Sequence, residues 1–268
     1  MLKIYTSSHK RPDFIELQLK SFQKHLQEDF ILTILNNAHF DLNDKQIAKQ
    51  IRSECERLGL PMIDVIKEQT TVDHYQSFEA CPLFTSAGEY YNACIACAYP
   101  LAWAWDNYIV KEKGPILFIE SDMFLMTPVR LTDYLQKYQI IYVPQSSNTP
   151  VGRSAEHMHS GFFLADLSQI PEPESINWWC GKAEGIPVDV GGQTFCYLRA
   201  HPELTRLHVK EERIYDDPQV DFAPANYMKY WLETTPTILH YVSGSNWNHQ
   251  SNDYHAKKTI WLKKVLAL

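Results

Sequence analysis

Two acids one residue apart close an apolar run: Gly114-Pro-Ile-Leu-Phe-Ile-Glu120-Ser121-Asp122. Carboxylates beside an apolar strand are costly to desolvate unless they are paired or bind a cation. Side chains of a strand alternate, so positions i and i+2 face one side, and Glu120 and Asp122 can reach one divalent ion there. A pyrophosphate-bearing ligand would supply further oxygens to such an ion, which in turn would neutralise charge on a leaving diphosphate. Two acids that simply stop a strand in solvent have the same spacing.

The elements that must hold these acids read as alternating strands and helices. Leu2 to Thr6 has strand character, and Pro12 suits the first turn of a helix because no N–H donor is needed there. Apolar residues at Phe14, Leu17, Leu19, Phe22 and Leu26 predict a helix over 13–26. A buried strand over 30–35 ends at Asn36-Asn37, a second helix over 45–58 stops at Gly59, and a third strand spans 61–66. This order predicts a parallel sheet with helices on both faces. Residues 67–86 are too polar for core and read as a functional loop or lid. A long helix over 90–110, bent or broken at Pro100, leads to the apolar strand 115–119. A short helix over 132–138 and a strand over 140–143 follow. Beyond Pro144 the pattern changes to loops, small strands and aromatics, with strands at 159–165 and 237–242 and a helix at 193–200. No repeat or linker divides the chain. One domain is expected over residues 1–268, its pattern changing after residue 143.

Composition removes several classes. Lys and Arg number 25 against 32 Asp and Glu, a net charge of −7 with no basic block, which argues against a nucleic-acid partner. The longest apolar run, Ala93 to Trp105, contains Pro100 and falls short of the ~20 residues of a membrane span. The chain enters strand-like sequence at once, without the pattern of a signal peptide, and its six cysteines are scattered like small apolar fillers. A cytoplasmic protein is expected. Cys94 and Cys97 form a single CxxC within a helical stretch, and no second pair supports a zinc or redox site.

Taken together, several segments resemble GT-A glycosyltransferases. Ile116-Leu-Phe-Ile-Glu-Ser-Asp-Met-Phe-Leu-Met-Thr-Pro is similar to their DxD motif, in which a strand delivers two acids to the metal of a nucleotide-sugar. Thr6-Ser-Ser-His-Lys-Arg-Pro12 resembles the first strand-to-helix turn, which touches the nucleotide. His159-Ser160-Gly161-Phe-Phe-Leu-Ala-Asp166-Leu resembles the strand beside the sugar and acceptor. Thr237-Ile-Leu-His240-Tyr-Val-Ser-Gly244-Ser-Asn-Trp247 resembles the late His-x-x-Gly-x-x-Lys-Pro-Trp element of the glycogenin-like group. The likeness runs over about residues 1–250 in short motifs.

That resemblance implies a GT-A-like α/β domain, Rossmann-like, with a mostly parallel central sheet and a smaller acceptor-side region. It implies transfer of a sugar from a nucleotide-diphosphate donor, a UDP-sugar first, to a glycan or other hydroxyl acceptor. Mn²⁺ or Mg²⁺ is the implied cofactor, with Asp122, Glu120 and His240 as ligands. Arg11, Asn36, Asn37, Glu120, Ser160, Gly161, Gln193 and Trp247 are the expected substrate contacts. Two departures stand out. Glu120 replaces the first Asp and reaches one methylene further. The late element lacks its Lys-Pro pair, so the diphosphate must find another cation among Arg11, Lys10 and Lys257.

His240 ends an apolar strand before a Gly/Ser/Asn turn, a place suited both to a metal ligand and to a hydrogen-bonded structural imidazole. In Gly185-Ile-Pro-Val-Asp189-Val-Gly-Gly-Gln193, Asp189 is the first choice for the base that takes the acceptor proton in an inverting transfer. In a retaining one, Asp189 and Gln193 would steady the anomeric centre or the acceptor; Asp189 also suits a helix cap. Asp64 and Asp73-His74-Tyr75 are weaker contacts, and Trp178-Trp179 suits an acceptor platform or the core. Two other classes compete. A nucleotidylyltransferase should carry a Gly-rich turn after the first strand, where this chain has none. A carbohydrate-binding relative without turnover would keep the pocket and lose catalysis.

Overall fold

A computed structural model of the chain describes residues 1–38, 45–65, 88–148, 152, 154–222, 225–244 and 250–268, with backbone alone at 88–96. The expected loop over 67–86, including Asp73-His74-Tyr75, lies outside the described residues, as does Trp247.

The first half alternates as its periodicity predicts. Strand β1 (Leu2–Ser8) leads to α1 (Asp13–His25), then β2 (Phe30–Asn36), α2 (Lys45–Leu58) and β3 (Met62–Asp64). Helix α3 (Gly88–Asn107) continues through Pro100, where a bend or break was expected. After it come β4 (Pro115–Ile119) and the short β5 (Met123–Leu125). Leu131–Gln136 forms a 3₁₀ segment in place of the expected short helix. Strands β6 (Ile140–Asn148) and β7 (Ser154–Asp166) run well past their predicted ends. A small hairpin of β8 (Gly181–Ala183) and β9 (Ile186–Val188) precedes α4 (Thr194–Ala200) and β10 (Arg206–His208). The chain then forms β11 (Lys210–Ile214), β12 (Tyr227–Leu232), β13 (Thr235–His240) and α5 (Asn252–Leu266).

Among the described residues, seven strands form the central sheet in the order β10-β6-β7-β4-β1-β2-β3. All run parallel except β7, which is antiparallel to both β4 and β6. The chain therefore winds outward from β1 through β2 to β3, then returns to β1's other side with β4. Such a reversal opens a crevice at the carboxyl ends of β1 and β4, where ligands of open α/β sheets bind. Strand alternation divides the core. Leu2, Ile4, Leu32, Ile34, Leu117 and Ile119 meet α1 and α2, whereas Tyr5, Leu35, Ile116 and Phe118 meet α3 and Trp178. Helices thus cover both faces. Trp178 is core: it packs edge-on against Trp105 and Phe163, which removes it from an acceptor platform.

A second, antiparallel sheet has the order β11-β12-β13-β5. Its β5 is the direct continuation of β4, so the chain leaves one sheet and enters the other across Glu120-Ser121-Asp122. Phe14 and Leu17 of α1 pack with Phe124, Tyr227 and Leu239 of this sheet, with Tyr241 just after it, and with Leu262 and Leu266 of α5. Burying an aromatic such as Phe14 contributes roughly 1.5–3 kcal/mol, so this cluster fixes α5 onto the small sheet.

Candidate active site at the crossing of the two sheets

Glu120 and Asp122 come together by a turn, which corrects the expectation from strand alternation. Met123 N–H donates to Glu120 O at 3.1 Å and closes the turn, while Glu120 N–H donates to Gly161 O at 3.0 Å. Gln18, fully buried on the apolar side of α1, donates its amide to Glu120 O (2.8 Å) and Met123 O (2.9 Å). A buried amide must bond somewhere, and here it ties the turn to the helix.

His240 arrives from the other direction. In the β13–β5 register it lies opposite Met123, beside the acids. Its Nε2 stands 3.3 Å from Asp122 Oδ1 and 3.6 Å from Glu120 Oε2, and one ligand atom from each of the three groups lies within 4.8 Å of the others. Asp122 is further held by Gly244 N–H donating to Oδ2 at 2.9 Å and by Tyr241 N–H donating to its carbonyl at 2.8 Å. Gly244 has no space for a side chain, since a Cβ would sit 2.8 Å from Asp122 Cβ and 3.0 Å from a Phe14 ring carbon. The two residues before it, Val242 and Ser243, are left-handed at φ 62 and 63. Each such residue costs on the order of 1–3 kcal/mol, a strain that clusters at functional sites.

Burial raises the Asp122 carboxyl, but His240 and the Gly244 N–H outweigh it and hold it below its ordinary value. Burial likewise lowers His240, and the charges of Asp122 and Glu120 outweigh that and raise it. Two carboxylates and an imidazole make a donor set that could hold a divalent metal ion. The second imidazole nitrogen supports this fit. Tyr230 Oη lies 3.1 Å from His240 Nδ1 and also reaches Met228 Sδ at 3.7 Å. As it stands Nε2–H donates to Asp122; with Nδ1–H donating to Tyr230 and the phenol hydrogen on Met228, loss of the Nε2 proton would turn that lone pair toward an ion between the acids. Tyr230→Phe should therefore weaken Mn²⁺ binding about 10-fold, as outer-shell partners typically do. Titration followed by Mn²⁺ EPR checks this; unchanged affinity would contradict it.

Two more expected residues join the clamp. Ser160 Oγ donates to Glu120 Oε1 at 3.4 Å, and Gly161 packs closely, since a Cβ there would lie 2.6 Å from Met123 Cε and require the Met123 side chain to shift. Asp189 sits on the neighbouring loop. Gly191, two residues on, packs against the backbone of Met158 and Ser160, so the loop lies on β7 beside Glu120's partner. Asp189 accepts from Val190 N–H at 2.7 Å and from Gln145 Nε2 at 3.5 Å. It does not cap α4, whose N-cap is Gln193.

Other expected contacts lie elsewhere. Asn36 is fully buried and donates to Ala48 O and Asp64 Oδ1, so it joins β2 to α2 and β3. Asn37 is buried where β2 ends, its N–H on Ser8 O. The Arg11 guanidinium pairs with Asp13, donates to Thr259 and lies 3.8 Å over Phe14, facing α5. Gln193 donates to Lys182 O of the small hairpin. Lys257 pairs with Asp253 on the surface. Sequence reasoning passed over Gln18, Tyr230 and Lys258. Lys258 had a visible signal, because Tyr254, Lys258, Leu262 and Leu266 recur every four residues on one helical face. It is buried, and its amine is pushed down by burial to about 7.

No protein-family model and no curated protein matches the sequence. Among solved structures, the chain is similar to apo mouse xyloside xylosyltransferase 1 at 14% identity and TM-score 0.42, covering 77% of this chain and 83% of that one. It is similar to the galactosyltransferase LgtC with donor and acceptor sugar analogues at 12% identity and TM-score 0.40, covering 78% and 73%. It also matches the bifunctional glycosyltransferase WbbM at 10% identity and TM-score 0.35, covering 65% of this chain and 33% of that one. No helix among the described residues is long and apolar enough to cross a membrane.

Proposed function

We propose that this chain is a metal-dependent glycosyltransferase of the GT-A type, acting on a nucleotide-diphosphate sugar, a UDP-sugar first, and a hydroxyl acceptor. One observation carries the reading: Glu120, Asp122 and His240, drawn from motifs 120 residues apart in sequence, converge where β4 leaves the central sheet. That is the crevice in which an open α/β sheet takes its ligand. The whole chain acts as one domain, residues 1–143 serving the nucleotide and 144–268 the acceptor.

Glu120, Asp122 and His240 would hold Mn²⁺ or Mg²⁺, whose charge offsets that developing on the diphosphate as the sugar leaves. Ser160 and Gly161 orient Glu120, and Tyr230 orients His240. Asp189 is assigned to the acceptor in an inverting transfer: as the acceptor oxygen bonds to the anomeric carbon and the bond to the diphosphate breaks, the hydroxyl proton passes to a carboxylate oxygen of Asp189; in a retaining one, Asp189 and Gln193 would steady the anomeric centre or the acceptor.

Incubation with a panel of nucleotide sugars, with and without Mn²⁺, tests the reading. Mn²⁺-dependent release of nucleoside diphosphate is expected. Release of pyrophosphate would point to nucleotidyl transfer, and binding without any turnover to a carbohydrate-binding protein; either overturns the proposal.

A further inference from the structure

We propose that Lys258 is a positioning residue for the cation clamp, a buried amine of the last helix that holds the turn by which Asp122 is aimed. This rests on the reading of Glu120, Asp122 and His240 as cation ligands, while its first link is a property of the metal-free protein.

Lys258 is 1% exposed. Its Nζ donates to Asn226 O at 2.6 Å, just before β12, and to Val242 O at 3.3 Å, just after β13. Tyr254 Oη lies 3.3 Å away, and the Tyr241 ring centroid 4.2 Å. Both the neutral amine and the ammonium carry the two N–H groups that these carbonyls require, so the tether holds in either state. Val242 and Ser243 are consecutive left-handed residues, and Gly244 N–H, next in the chain, donates to Asp122 Oδ2. Such a turn persists only when its surroundings over-determine it. The Ser243 hydroxyl is buried with no hydrogen-bond partner among the described residues, so it gives no support. The bond from Lys258 to the Val242 carbonyl does.

Lys258 also brings positive charge near Asp122, and charge alone would repel a bound cation. The two roles therefore differ in sign. Lys258→Met keeps an apolar stem and removes both charge and donors. If charge were its only effect, Mn²⁺ would bind more tightly in that variant; loss of positioning makes it bind more weakly.

The experiment measures amide hydrogen exchange at Gly244 in the metal-free protein, with the Leu117 and Ile34 amides of the central sheet as internal controls, and then titrates Mn²⁺. In Lys258→Met, Gly244 exchange should quicken at least tenfold and the Mn²⁺ dissociation constant should rise at least tenfold, the controls staying unchanged. Adding Ser243→Gly should restore part of the protection, because glycine adopts φ near +63 without strain. Lys258→Gln, which keeps a neutral donor at shorter reach, should shift both readings in the same direction by less, and serves if the Met variant does not fold. Wild-type protection of Gly244 in a folded variant, or tighter Mn²⁺ binding, overturns the proposal. A Gly244 response in a protein whose wild type binds no Mn²⁺ supports the tether and overturns the cation reading beneath it.

Discussion

Asp122→Asn should leave a folded protein that has lost its cation and, with it, glycosyl transfer. Asparagine keeps the shape and can still accept the Gly244 N–H, so the turn retains one of its bonds. What disappears is the negative charge facing His240 Nε2 at 3.3 Å and an anionic oxygen for the ion. Mn²⁺ affinity is expected to fall at least about 100-fold and turnover about 1,000-fold, the scale set by removing a charge-stabilising group from a reaction of this kind. His240 should titrate lower, because the partner that does most to raise it is gone. Stability should drop by only about 1–3 kcal/mol, the loss for a weakened buried hydrogen bond. Isothermal titration with Mn²⁺, a nucleotide-sugar assay and urea melts read the three effects. Full turnover in the folded variant would remove the clamp from the chemistry.

Gly191→Ala should be among the most disruptive single-methyl changes in the molecule. Gly191 has φ 78, and a Cβ there would lie 2.2 Å from the Met158 carbonyl oxygen, a backbone atom that cannot move aside alone. The same turn is locked to β7 by Thr194, whose hydroxyl donates to Gly191 O at 2.6 Å and accepts from Met158 N–H at 2.8 Å. Lifting the turn would break both bonds and displace Asp189. A loss on the order of 3–5 kcal/mol is expected, with a collapse in kcat. Gly185 provides the control. It has nearly the same φ, 77, with no atom within 4 Å of an added methyl, so Gly185→Ala should lose only the left-handed penalty of about 1–2 kcal/mol. Denaturant melts of the two variants separate backbone strain from close approach; equal losses would contradict the packing described.

The parts of this architecture that the sequence made legible are those governed by local pattern. Local pattern placed α1 and α2, each of which buries one face against the sheet, and the apolar runs of β1, β2 and β4, which are covered on both faces. Glu120, Asp122 and His240, the proposed cation ligands, could be named for a different reason: their residue types and the motifs around them pointed to one place, and the three side chains do meet. How they meet was not legible. Alternation along a strand suggested a shared face for Glu120 and Asp122, whereas the chain turns between two sheets there. The second sheet was hidden because β11 is a charged run, Lys-Glu-Glu-Arg-Ile, exposed along most of its length, which pairs with β12 through backbone rather than apolar pattern. Asn36 shows what position alone leaves out. Its position at the end of β2 suggested a ligand contact, but a buried amide must satisfy its own donors, and Ala48 and Asp64 do so. Tyr230 meets the acids only through His240 and so leaves little trace in one sequence, whereas Lys258 could have been found from its place on the buried face of α5.

Pulsed EPR of the Mn²⁺-loaded protein bears most directly on the clamp of Glu120, Asp122 and His240. One Mn²⁺ per chain is expected, with a ¹⁴N coupling from a single directly bound imidazole that vanishes in His240→Gln. A folded protein that binds no Mn²⁺, or a nitrogen coupling that survives His240→Gln, would contradict the assignment.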